Sequence, residues 1–145
     1  MVVPAYVDTS VLVKIYDARE PRAADVRRRL KNVRLASSIL VRAEIMSAVA
    51  RKVRAGELPQ SQSASLRRRI DRDYQRILKV RLTEEVLSDA EKLLFEFALR
   101  ASDAVHLGSA AVLSRRLGIT LRVLTADDAM RSAAQGARME VEFFG

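Results

Sequence analysis

The sequence predicts an α/β fold in one domain over residues 1–145, a parallel sheet with helices on both faces. Three observations lead there. Short apolar runs alternate with longer segments of helical periodicity along the chain. Hydrophobic residues make up 49% of the 145, enough for a continuous core without disulfides or structural metal. No internal repeat, low-complexity tract or linker interrupts the pattern.

Ala5-Tyr6-Val7 is a short apolar run ending at Asp8 and reads as a buried first strand. Thr9 and Ser10 can cap the helix that follows, whose apolar face is Val11, Leu12, Val13 and Ile15. Glu20-Pro21 opens a basic second helix to about Leu30, with the proline in its first turn. Residues 33–36 read as a strand, and Ser37-Ser38 then cap a helix over 39–55 that Gly56 stops. Pro59 opens a helix to about Tyr74 with Leu66 and Ile70 inward. Residues 77–82 alternate as a strand, Thr83 caps a helix to about Leu99, and Ser102 begins another that ends near Gly118. Residues 120–124 read as a strand, a short helix carries Met130 and Ala134 to Gly136, and 139–143 alternate as the last strand.

The chain has no cysteine, which excludes disulfide frameworks, thiolate zinc sites and cysteine nucleophiles and suits a reducing cytosol. The opening MVVPAYVDTS lacks the basic stretch and long apolar run of a signal peptide. No stretch approaches the ~20 apolar residues that cross a bilayer, so the expectation is a soluble, cytoplasmic protein with no membrane partner. With 26 Lys+Arg against 18 Asp+Glu, the formal charge is +8 and attracts polyanions. Clusters such as Arg27-Arg28-Arg29 and Arg67-Arg68-Arg69 also suit solvated helix faces, so charge permits a nucleic-acid partner without establishing one.

Four acids fall where an open parallel sheet binds its ligands, outside the carboxyl ends of the strands. Asp8 ends the first strand and Asp127 lies just beyond the fourth. Glu44 sits one to two turns into the helix after the second strand, beside an apolar stripe of Leu40, Val41, Ile45 and Val49. Asp103 starts a helix that continues Ala104-Val105-His106-Leu107. Singly, Asp8 and Asp103 suit helix caps, Glu44 a surface position, and Asp127-Asp128 a first helical turn. One site explains all four. Carboxylates gathered at one edge repel each other, and a divalent cation relieves that repulsion. An oxygen-only set points to Mg2+ or Mn2+.

Tyr6-Val7-Asp8-Thr9-Ser10-Val11-Leu12-Val13-Lys14, Arg42-Ala43-Glu44-Ile45, Ser102-Asp103-Ala104-Val105-His106-Leu107 and Leu124-Thr125-Ala126-Asp127 occur in that order. In these segments the chain resembles the PIN-domain family, and more narrowly the VapC-type toxins of toxin–antitoxin pairs. The resemblance runs from Val3 to about Phe143. It implies a three-layer α/β/α fold with a five-stranded parallel sheet of order 3-2-1-4-5. It also implies a metal-dependent ribonuclease in which Asp8 and Asp103 hold Mg2+ or Mn2+ most directly. Glu44 and Asp127 complete the cluster, and Ser10 and Thr125 are polar supports. Asp128 stands directly beside Asp127, and the T-x-D spacing favours Asp127. His106, on an apolar face, reads as structural. The partners implied are an RNA substrate, a VapB-like antitoxin whose C-terminal segment occludes the site, and a second copy in a homodimer. Ile15, Leu40 and Leu94 are candidates for the groove or the dimer face.

Two rival readings follow from the residues. A non-catalytic RNA- or protein-binding module on the same scaffold has no need of four acids at one edge. A phosphatase using Asp8 as nucleophile lacks the usual second aspartate two residues on, where Ser10 stands, and Lys79 and Lys92 are poorly placed for it.

Overall fold

The computed structural model describes residues 2–145. The chain runs β1 (Ala5–Val7), α1 (Thr9–Tyr16), α2 (Ala23–Leu30), β2 (Leu35–Ser38), α3 (Val41–Arg54) and α4 (Gln60–Arg76). It continues β3 (Leu78–Val80), α5 (Glu84–Glu96), α6 (Ala101–Leu117), β4 (Arg122–Thr125), α7 (Asp128–Gly136) and β5 (Glu140–Phe143). The strands form one sheet in the order β3-β2-β1-β4-β5, with every pairing parallel. This is the expected topology, with the first strand at the centre.

Successive strand side chains point to opposite faces, and the core divides accordingly. Tyr6, Ala36, Val80 and Val123 face one layer, built from Val86, Ala90 and Leu93 of α5, Leu107 of α6 and Met130 of α7. Ala5, Val7 and Leu124 face the other, against Val11 and Leu12 of α1, Val26 of α2, Ile45 of α3 and Ile70 of α4. Strands buried on both faces read as continuous apolar runs, which is why β1 and β4 were visible in the sequence. Helix α6 lies close on α5 because Gly108 has no side chain: a Cβ there would stand 2.8 Å from the Val86 carbonyl oxygen. Gly118, at φ +64°, ends α6 in the left-handed conformation that glycine favours.

Several boundaries differ from expectation, each for a local reason. Helix α2 begins at Ala23, after Arg22 at φ +59°, so Pro21 lies before the helix and not in its first turn. Strand β2 includes Ser37 and Ser38, which the sequence suggested as caps. Their burial is tolerated because Ser37 donates to the Val7 carbonyl at 2.6 Å and Ser38 accepts the Leu40 N–H at 3.1 Å. Strand β4 starts at Arg122, since Ile119 and Leu121 bond instead to Ser114 at the end of α6. The cap of α1 is Asp8, not Thr9 or Ser10. Thr83 caps α5 as expected, accepting the Val86 N–H at 3.3 Å. Among the described residues, no helix is long and apolar enough to cross a membrane.

Candidate active site

The carboxyl ends of β1 and β4 are neighbours at the middle of the sheet, and the polar groups just beyond them interlock. Asp8, 4% exposed, caps α1 by accepting the Val11 N–H at 3.2 Å on Oδ1. The same oxygen receives the Ser10 hydroxyl at 2.5 Å, and Oδ2 receives the Thr125 hydroxyl at 2.6 Å. Each hydroxyl, having donated to Asp8, accepts from the β4–α7 connection: Ser10 from Ala126 N–H at 2.9 Å and Thr125 from Asp127 N–H at 3.1 Å. Asp127 in turn caps α7 by accepting the Met130 N–H at 2.9 Å. Two helix caps, one from each strand, are thereby bolted together through one serine and one threonine.

The other two acids come from helices. Glu44, in the first turn of α3, places its Oε1 2.6 Å from His106 Nε2. Asp103, in the first turn of α6, faces Arg100 Nε at 3.5 Å. Asp8, Glu44, Asp103 and Asp127 all line one cleft of about 230 Å³ on this sheet edge, together with Ser10 and Arg100. The four acids expected to share a site do share this cleft. Asp128 does not line it; its side chain is 80% exposed and pairs with Arg131 at 2.7 Å.

Burial pushes the Asp8 carboxyl above its usual range, and the Ser10 and Thr125 hydroxyls, His106 and the Val11 N–H only partly offset it. A nearby cation would act in the opposite sense. The donor set is all carboxylate oxygen, the chemistry that suits a hard divalent ion such as Mg2+ or Mn2+. Among the described residues, no three acids or histidines yet stand close enough to hold one ion together. Each carboxylate is held by its own local partner. In donor type the residues fit; the four acids are the candidate ligands.

Two cleft residues had a weaker signal in the sequence. His106, read as structural, is buried at 2% exposure but points its Nε2 at Glu44. Its spacing of three from Asp103 puts both on one side of α6. Arg100, one residue before that helix, is 82% exposed and is a cation lining the cleft. An arginine before a helix start is too common to have marked it.

A family model for the PIN domain matches residues 5–136. The chain belongs to the PIN-domain family. Within it, the chain is 39% identical over 139 residues to Ribonuclease VapC46 of Mycobacterium tuberculosis (strain ATCC 25618 / H37Rv), covering 94% of each sequence. The fold is similar to that of VapBC2 from Rickettsia felis, crystallised with a DNA fragment from its promoter. There the TM-score is 0.68 at 14% identity, covering 99% of this chain and 100% of the other. It is also similar to Mycobacterium tuberculosis VapC20, described as a sarcin–ricin loop cleaving toxin. That match has a TM-score of 0.63 at 17% identity, covering 89% of this chain and 94% of the other. At those identities the two structures speak for the fold.

Proposed function

We propose that this chain is a Mg2+- or Mn2+-dependent ribonuclease that hydrolyses RNA phosphodiester bonds, and the toxin of a VapBC-type toxin–antitoxin pair. The observation that carries the reading is the convergence of four carboxylates on one cleft, with the most buried of them, Asp8, clad in hydroxyls and an amide. The similarity to Ribonuclease VapC46 supports the substrate class.

In this reading Asp8 and Asp103 are the principal ligands, and Glu44 and Asp127 complete the set. The ion, when bound, supplies Lewis-acid stabilisation of the phosphoryl oxygens and lowers the pKa of water. Ser10 and Thr125 hold Asp8 in one orientation, so its carboxylate needs little reorganisation. Arg100 reaches a backbone phosphate from the cleft rim, a contact that fixes register without reading sequence. Attack by water forms a P–O bond as the bond to the leaving oxygen breaks, and the proton that the water gives up passes by way of a cleft carboxylate to that leaving oxygen.

A VapB-like antitoxin and a second copy of the chain are the proposed partners, and the cytoplasm the proposed location. A groove of about 430 Å³ lined by Leu12, Ile15, Tyr16 and Leu30 offers apolar seating. Leu94 and Phe95, 41% and 90% exposed on α5, suit a dimer face. Leu40, like Ile15, packs partly into the core.

The test is cleavage of end-labelled RNA with Mg2+, with Mn2+ and with chelator, by wild type and by Asp8→Asn. Wild type cuts only with the ions, and the variant does not cut. Binding without cutting would leave the non-catalytic module as the better reading.

A further inference from the structure

Behind Glu44 lies a line of polar groups that the proposed chemistry does not use. Glu44 Oε1 stands 2.6 Å from His106 Nε2, and His106 Nδ1 stands 2.9 Å from the Tyr6 hydroxyl. Tyr6 is fully buried and His106 nearly so, with their rings edge-to-face at 74° and 5.9 Å between centroids. Glu44 is 28% exposed and opens onto the cleft. The Tyr6 ring packs in the cluster with Ala36, Val80 and Leu107 on the α5–α6 face of the sheet, a place where a buried hydroxyl is costly unless it is hydrogen-bonded.

A neutral imidazole with its proton on Nε2 satisfies all three groups. A carboxylate only accepts, so Nε2 carries the hydrogen; Nδ1 is then a bare acceptor, and the Tyr6 O–H donates into it. Burial pushes the Tyr6 hydroxyl far above its usual range, so it keeps its proton and remains a donor. The line runs across the fold, from the central strand through α6 to α3, with sequence separations of 100 and 62. It holds one oxygen of Glu44 and leaves the other free to face the cleft.

We propose that Tyr6 and His106 are positioning residues: a buried donor chain that locks the histidine tautomer and, through it, the orientation of Glu44 in the site. The proposal rests on Glu44 being one of the site's working acids. Outer groups of this kind hold a ligating carboxylate in place, and their loss typically weakens metal binding about 10–100-fold.

His106 is the one histidine of the chain, so its imidazole signals are unambiguous. In a long-range proton–nitrogen spectrum of the 15N-labelled chain without metal, Nε2 has the shift of a protonated nitrogen and Nδ1 that of a bare one. The opposite tautomer overturns the donor chain. Tyr6→Phe, which keeps the ring in the core, mixes the two forms; an unchanged spectrum removes Tyr6 from the chain.

Mg2+ is then titrated against His106→Leu and His106→Gln, following the rise in melting temperature and, separately, kcat and KM for RNA. The Leu variant keeps the volume and loses the donor. Its half-saturating Mg2+ rises about 10–100-fold and kcat falls with KM little changed. His106→Gln, with an amide N–H near the old Nε2, recovers most of both, and Tyr6→Phe moves them the same way by a smaller factor. If His106→Leu does not fold, Tyr6→Phe and His106→Gln carry the test. Wild-type Mg2+ response in all three variants overturns the positioning role while leaving the nuclease reading intact. A wild type that neither gains stability from Mg2+ nor cuts RNA overturns that reading, and the positioning role with it.

Discussion

Helix α1 has an aspartate at each end, and the two respond oppositely to their surroundings. Asp8 caps the N-terminus, where the helix dipole favours negative charge; Asp17 caps the C-terminus, where it opposes it. The dipole alone, worth about 0.3–1 kcal/mol at each end, predicts a low pKa for Asp8 and a high one for Asp17. The reverse holds. Arg19 and then Lys52 hold the Asp17 carboxyl well below its usual range, with Lys52 Nζ at 2.7 Å and shared with Glu20 at 3.0 Å. Burial raises Asp8, whose immediate partners are hydroxyls and an N–H. Immediate partners and desolvation outrank the dipole. Asp17 is a charge already balanced, tying α1 to α3. Asp8 is a buried carboxylate whose immediate partners carry no formal charge, which suits a metal ligand.

The sharpest way to break the contrast is Asp8→Asn. Cleavage is lost, yet the chain melts no lower, because asparagine still caps the helix and the disfavoured charge it removes offsets the acceptor that the Thr125 hydroxyl loses. The pH dependence has a definite sign. Asp8's folded pKa lies above the unfolded value of about 3.9, so its contribution to stability declines as pH rises through the folded value. Melts in chelator at rising pH should therefore show the variant gaining on wild type; a lower melting temperature at pH 7 would contradict the account. Next in size is Thr125→Val, which strips the donor from Asp8 Oδ2 and the acceptor from Asp127 N–H. The Mg2+ needed for half-maximal cleavage should rise about 10-fold or more.

At the other end, Lys52→Met leaves Asp17 and Glu20 without their shared cation and should cost about 1–3 kcal/mol in urea unfolding. Turnover per folded molecule stays unchanged; a fall in kcat would mean that the two ends of α1 are not separable. The smallest effect is on the acid side. Because Asp17's pKa is depressed on folding, its stabilisation is present above the unfolded value of about 3.9 and is lost as pH falls towards the folded one. Asp17→Asn should flatten that limb of the stability profile, measured by urea titration from pH 5 downward.

What the sequence made legible was whatever is local. Apolar runs buried on both sides announced β1 and β4, Thr83 announced α5, and Gly56 and Gly118 marked helix ends. The four acids were legible because strand ends and first helical turns are local features too. What stayed hidden depends on partners far along the chain. Ser37 and Ser38 looked like caps because nothing nearby says that the Val7 carbonyl waits to receive the Ser37 hydroxyl. His106 looked structural because its neighbours are apolar, and Glu44 lies 62 residues away. The left-handed Arg22 that delays α2 has no signature beyond the proline before it.

The threonine that bonds the second oxygen of Asp8 is made 117 residues after it. At about 5–20 residues per second, that interval lasts roughly 6–23 s. During it the central strand has no β4 beside it, Asp8 lacks the Thr125 hydroxyl, and the cleft lacks Asp127. Until then the nascent chain has at most three of the four carboxylates that line the cleft. Because β1 is central and its neighbour β4 is made so much later, the acids of the cleft come together only once most of the domain has been made.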